Sequence, residues 1–115
     1  MTYAGSCHCG KVAFEVEGAL DGALACNCSM CQRRGSLLWF VPRDALRLHT
    51  PEENAATYLF NKHAIVHRFC PACGIHVYGE GSDGKGNRMA AVNVRCLEGV
   101  ALDTVPVTHY DGRAL

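Results

Sequence analysis

At 115 residues the chain has the length of one domain, since domains usually hold about 100 to 150 residues, and it should fold as a single unit over residues 1–115. Eleven basic side chains balance eleven acidic ones, which leaves no charge excess to attract nucleic acid in general. The longest wholly apolar run, Leu37 to Val41, ends at Pro42 and falls far short of the roughly 20 residues that span a bilayer, so no membrane partner is expected.

In chain order, Val12, Phe14 and Val16 alternate with Lys11, Ala13, Glu15 and Glu17, the period of a half-buried strand. Gly18 to Gly22 reads as a loop. Ser29 to Arg34 predicts one short turn of helix that starts inside a cysteine cluster, where N–H groups favour a thiolate. Leu37 to Val41, Ala45 to His49, Ile65 to Phe69, Ile75 to Tyr78 and Met89 to Val94 are short runs rich in β-branched or aromatic residues and read as strands. Between them, Thr50 to Glu53 offers a helix cap and first turn, yet Thr57 to Phe60 prefers strand, so the segment stays undecided. Gly79 to Asn87, rich in glycine, reads as an exposed hairpin connection. No helix pattern follows it, so it lacks the dipole of a phosphate-cradling loop. The whole predicts a mainly β, antiparallel fold of about seven to nine strands with little helix.

Cysteine dominates the chemistry. Eight Cys in a chain this size imply either a disulfide scaffold or metal ligation. No basic segment, apolar stretch or cleavage site precedes the first pair, so the sequence predicts a cytoplasmic protein with reduced thiols. Cys70-Pro71-Ala72-Cys73-Gly74 is a metal knuckle: two thiolates three positions apart on a tight turn, followed by a Gly that lets N–H groups approach the sulfurs. A closed Zn²⁺ site needs four ligands, so a second pair must join. Cys7 with Cys9 is one candidate. The other is Cys28 with Cys31, as in a zinc ribbon, which would strand three cysteines. The first partition uses seven thiols and leaves Cys26, Cys28 and Cys31 as a three-ligand set with an open position, the arrangement of a catalytic zinc. Two Zn²⁺ per chain are then expected, one structural and one catalytic. Seven thiolates and two Zn²⁺ on a formally neutral chain leave a net charge of minus three.

Gly5, Ser6, Cys7, His8, Cys9 and Gly10, then Val12 and Phe14, the triplet Cys26, Cys28 and Cys31, and later Phe69, Cys70, Cys73 and Gly74 resemble the glutathione-dependent formaldehyde-activating enzyme family. Asn93, Val94, Arg95, Cys96 and Leu97 and the closing Asp111 and Gly112 extend the resemblance along nearly the whole chain; Asn27 stands where the family often has His. The resemblance implies a β-tent of antiparallel sheets, a structural zinc on Cys7, Cys9, Cys70 and Cys73, and a catalytic zinc on Cys26, Cys28 and Cys31. It also implies the activity of an S-(hydroxymethyl)glutathione synthase, a carbon–sulfur lyase. Its partners would be a small-molecule thiol such as glutathione and a small aldehyde such as formaldehyde.

His8, His63, His67 and His76 are candidates for a fourth ligand at the triplet, although a surface or packing role is the commoner fate of a single His. Arg33 and Arg34, just after the triplet, suit the carboxylates of glutathione but also a solvated face. Cys96, in the apolar run Ala90 to Leu97, reads as a small core residue of a strand. Two function classes follow: an enzyme with a vacant zinc position in a pocket, or a non-catalytic interaction module whose zinc sites are closed.

Overall fold

The computed structural model describes residues 1–59 and 65–111. Its architecture is mainly β. A small antiparallel sheet has the order β1-β2-β5, from β1 (Thr2–Ser6), β2 (Ala13–Glu17) and β5 (Leu46–Leu48). A larger sheet contains β3 (Ala23–Cys26), β4 (Leu38–Pro42), β6 (Ala56–Tyr58), β7 (Val66–Phe69), β8 (His76–Ser82), β9 (Arg88–Asn93) and β10 (Val107–Tyr110), in the order β10-β3-β4-β9-β8-β7-β6. The one α-helix among the described residues, α1 (Ser29–Arg34), has the bounds that the sequence predicts.

The alternation around Phe14 buries Phe14 and Val16 from β2 with Leu46 from β5, and these meet Trp39, Val41, Val77, Tyr78, Ala90 and Val92 of the large sheet. Gly5 makes the close approach of β1 to this layer work. It pairs with Phe14, and a Cβ at Gly5 would lie 2.5 Å from the Phe14 ring. On the same core side of β8, the buried Glu80 carboxylate accepts from Arg43 Nε at 2.6 Å and Arg68 Nε at 3.2 Å. Although burial alone would raise its pKa, the two guanidiniums hold that carboxyl below the usual carboxylate range. No helix among the described residues is long and apolar enough to cross a membrane.

Several elements differ from the sequence reading. β1, β3 and β10 bring the count to ten strands among the described residues, beyond the seven to nine expected. β10 pairs with β3 in parallel, whereas all other strand pairs are antiparallel. The glycine-rich connection is shorter than expected. β8 runs on through Ser82 because Gly79 and Gly81 pair with Ala91 and Met89 of β9, so ladder hydrogen bonds override the low strand preference of glycine. The turn is confined to Asp83–Asn87, where the Asp83 carboxylate accepts the N–H groups of Lys85 and Asn87. The undecided segment resolves into a 3-10 turn (Glu52–Asn54) followed by β6, while Phe60 lies outside the described residues. Cys96 belongs to a 3-10 turn (Val94–Cys96) rather than a strand, because Asn93 caps that turn by accepting the Arg95 N–H.

Candidate metal centre

The thiols gather into two groups. Cys7, Cys9, Cys70 and Cys73 place their sulfurs within 4.8 Å of one another, and so, separately, do Cys26, Cys28 and Cys31. Cys28 and Cys31 do not join Cys70 and Cys73.

Two tight turns build the first group. The Cys7 N–H donates to Val12 O at 3.0 Å, and on the other side Cys70 N–H donates to Ile75 O at 2.9 Å and Gly74 N–H to Cys70 O at 2.8 Å. Gly10 and Gly74, with φ of 85° and 80°, close these turns in the left-handed region that side chains disfavour. Backbone amides then point at sulfur: Val12 N to Cys7 Sγ and Cys73 N to Cys70 Sγ, both 3.4 Å. The sulfur separations test the fit to a metal. Cys7 to Cys9 is 3.7 Å and Cys9 to Cys70 is 3.6 Å. These are far longer than a disulfide and close to the edge of about 3.8 Å that a tetrahedron of sulfurs has around Zn²⁺ at about 2.3 Å. Charge gives a second test. N–H groups of Cys9 and Ile75 draw the Cys73 thiol down to about 6. Cys9 receives the Lys11 N–H, yet hydrogen bonds with Cys70 and Cys7 leave it pushed up to about 11. Four thiols this close cannot all ionise without a cation between them, and a soft divalent ion suits that demand.

The triplet comes from one short stretch where β3 runs into α1. Cys28 is the N-cap of α1, its Sγ accepting the Cys31 N–H at 3.4 Å, while Cys26 Sγ accepts the Cys28 N–H at 3.4 Å. Burial pushes the Cys31 thiol up to about 12, and the Cys28 sulfur adds to the effect. Cys28 is held below the usual thiol range despite the cost of burial, chiefly by the Cys31 N–H. All three are half-buried and can share an ion. Asn27 braces the loop: its N–H donates to Tyr110 O of β10 at 3.2 Å and its side-chain amide to Asp111 at 2.9 Å.

Among the described residues no His, Asp or Glu joins either group. His8 is exposed between Cys7 and Cys9; His63 lies outside the described residues. His67 and His76 are placed together instead, with ring centroids 6.1 Å apart. The cause is an irregularity in the β7–β8 register between Arg68 and Phe69, which pairs Phe69 with His76. Partners in an antiparallel ladder share a face, so His76 moves to the face of His67 and Phe69 and away from that of Tyr78 and Glu80. Burial lowers the pKa of His67 to about 4 and of His76 to about 3, with the Arg34 charge adding to both, so both rings are neutral at physiological pH.

A cleft of about 510 Å³ opens over this face, lined by Ser29, Met30, Arg33 and Arg34 of α1, by Tyr58 and Phe69 of the sheet, and by Gly74 of the knuckle. It therefore lies between the helix that carries the triplet and the turn that carries Cys70 and Cys73. Side chains that the sequence reading did not connect meet around His76, which pairs with Phe69 of the cleft lining. Ser36 Oγ lies 2.8 Å from His76 Nδ1, and Asn93 Nδ2 donates to His76 O at 2.8 Å. Arg95 Nε donates to Gly35 O at 3.1 Å, tying the end of α1 to the end of β9. Cys96 joins this bracing rather than the metal groups: its thiol, 3.5 Å from His76 O, is pushed up to about 11 by burial and stays protonated.

Comparison with known proteins places the architecture. The family model of glutathione-dependent formaldehyde-activating enzymes matches residues 2–110. The chain belongs to that family. A crystal structure of a Rhodobacter sphaeroides protein, determined as a structural genomics target, superposes with a TM-score of 0.78 at 36% sequence identity, over 94% of this chain and 100% of that one. Both thiol groups fall within the matched region.

Proposed function

We propose that this protein is a zinc-dependent carbon–sulfur lyase that adds a thiol such as glutathione to formaldehyde or a related small aldehyde and cleaves the same bond in reverse. The observation that carries the reading is the triplet: three thiols from one segment, within 4.8 Å of one another beside a cleft, and joined by no other described ligand. Cys26, Cys28 and Cys31 would hold the catalytic Zn²⁺, and Cys7, Cys9, Cys70 and Cys73 the structural one. Bound at the triplet, the ion would supply a lowered pKa to a substrate thiol in the remaining position. The α1 wall orients that substrate, and Arg33 on the cleft suits its carboxylate. In the forward direction the thiolate sulfur bonds to the carbonyl carbon, the π electrons move to oxygen, and that oxygen takes a proton to give a hemithioacetal. The cleft holds the two reactants side by side, which removes the entropic cost of their encounter. We assign the protein to the cytoplasm as a single domain without nucleic-acid or membrane partners, in keeping with its balanced charge and reducing thiol chemistry.

Cobalt substitution tests this reading, because its visible absorption reports ligand number and type. Glutathione should raise the thiolate-to-cobalt intensity and shift the d–d bands, whereas S-methylglutathione, which has no ionisable thiol, should do much less. Formaldehyde should then perturb the spectrum again as the sulfur becomes a weaker donor. If no thiol changes the spectrum, the mechanism falls and a closed-site interaction module replaces it. Should simple thiols bind but glutathione not, the chemistry stands and the substrate is another thiol.

A further inference from the structure

The cleft beside α1 carries charge of one sign. Arg33 and Arg34 both line it, and none of the other lining residues is acidic. Residues 60–64 and 112–115 contain no Asp or Glu in their sequence either. Among the described residues neither arginine has a carboxylate partner, since the ion pairs there engage Arg43, Arg47, Arg68 and His49. Arg33 has a neutral acceptor instead: its Nη1 donates to the carbonyl of Ser29, another lining residue, at 2.7 Å. Arg34 has less. It is half-buried, and its Nη1 is buried with no hydrogen-bond partner among the described residues. A buried donor left unpaired is costly, and more so when it belongs to a charged group.

Position on the helix ties this charge to the triplet. Residues three and four apart are neighbours on a helix, so Arg33 and Arg34 share the side of Met30, and Arg34 stands one turn beyond Cys31. A small ligand with its sulfur at the triplet therefore has a guanidinium within its own length. Met30, Tyr58 and Phe69 offer apolar surface to the carbon chain in between. Such a wall discriminates by charge. A carboxylate gains charge-assisted, bidentate bonds from a guanidinium, whereas an ammonium meets two like charges and no acidic side chain to offset them. Glutathione brings both, with a carboxylate at each end and an ammonium at one.

We propose that Arg33 and Arg34 make the cleft selective for anionic thiols that lack an ammonium group, the mercaptocarboxylates, with Arg34 as the main determinant. The assignment rests on the lyase reading for the role of the thiol. Arg33 is exposed, where water and salt screen its charge, while the half-buried Arg34 interacts through a medium of lower dielectric. The carboxylate stays paired while the sulfur adds to the aldehyde carbon, so the wall acts on binding of the thiol rather than on the chemical step.

The test titrates the cobalt-loaded full chain with two matched pairs of thiols. One pair is 3-mercaptopropionate and its neutral amide; the other is glutathione and its deaminated analogue, which lacks only the γ-glutamyl ammonium. The acid should bind about 10-fold more tightly than the amide, as one charge-assisted hydrogen bond allows, and deaminated glutathione more tightly than glutathione. Arg34→Gln should shrink both preferences, Arg34→Lys should keep part of them, and Arg33→Gln should cost less. In turnover with formaldehyde the advantage of the acid should appear in KM and not in kcat. Equal affinities within either pair overturn the selectivity, and the wild-type protein alone decides this should a variant not fold. An equal loss for the acid and the amide in Arg34→Gln also overturns it, since Arg34 would then serve to balance the thiolates of the triplet. If no thiol changes the cobalt spectrum, the lyase reading falls, and succinate tests the wall without sulfur. A shift of the Arg34 guanidinium ¹⁵N resonance on adding succinate would leave the anion site standing, and a silent resonance would overturn it.

Discussion

The two thiol groups differ in how far apart in sequence their members lie. The four-thiol group joins Cys9 to Cys70 across 61 positions and is held on two glycine turns, with Cys7 and Cys70 in the core. The triplet spans six residues, is half-buried, and adjoins a cleft. A cross-link between distant segments removes much chain entropy from the unfolded state; one within six residues removes little. A metal in the first group would therefore act on the fold, and one in the second would leave the fold nearly indifferent and its own chemistry exposed.

The largest expected effect separates the groups directly. Cys70→Ser or Cys7→Ser should leave the chain unfolded or aggregated, because a structural Zn²⁺ contributes about 10–16 kcal/mol in apparent binding free energy, as much as a whole domain's stability. Cys28→Ser should remain folded with reduced metal content. Far-UV circular dichroism with elemental analysis checks both, and equal collapse of the two would erase the distinction. A middle-sized effect probes the strand that leads into Cys7. Gly5→Ala drives a methyl into the Phe14 ring, so it should destabilise the fold by about 1–3 kcal/mol in urea titration while thiol binding at the triplet persists. A neutral result would mean that β1 shifts freely against β2.

The effect that is smallest at neutral pH is a pH dependence set by His67 and His76. His67 and His76 titrate at about 4 and about 3 in the folded chain, against about 6.5 when unfolded. Below pH 6.5 the unfolded chain takes up protons that the folded one refuses. Stability is therefore full above about 6.5 and declines as pH falls towards those values, by at most about 1.4 kcal/mol per pH unit for each His. Protonation of thiolate ligands has the same sign, so the quantity to measure is the difference from His76→Gln, whose curve should be flatter between about pH 6.5 and 4. Parallel curves would show that the ring is not held neutral by burial.

The same contrast explains what could be read in the sequence. Local features were legible: α1 declares itself through Cys28 at its start and Gly35 after its end, and β2, β4, β5, β7 and β9 through alternating or β-branched residues. Strands held mainly by backbone pairing were not. Thr2–Ser6 carries no apolar alternation, Ala23–Cys26 is mostly small residues, and every residue of Val107–Tyr110 is exposed. At the site, counting thiols suggested their grouping, whereas nothing local links Ser36 to His76 across 40 positions. A one-residue slip in the β7–β8 ladder turns His76 to the face of His67 and Phe69, and composition does not encode such a slip.

The parallel pairing of β10 with β3 bears on the order of events during synthesis. β3 leads straight into the triplet, yet its outer neighbour is residues 107–110, and the Asn27–Asp111 bond spans 84 positions. During translation the two glycine turns and the β7–β8–β9 ladder can assemble once residue 93 has left the ribosome. The segment that presents Cys26 and Cys28 must wait for β10 with one edge unpaired. A metal taken up at the triplet would then be braced fully only after β10 has docked, and a nascent chain stalled before residue 107 would emerge with β3 unpaired on that edge.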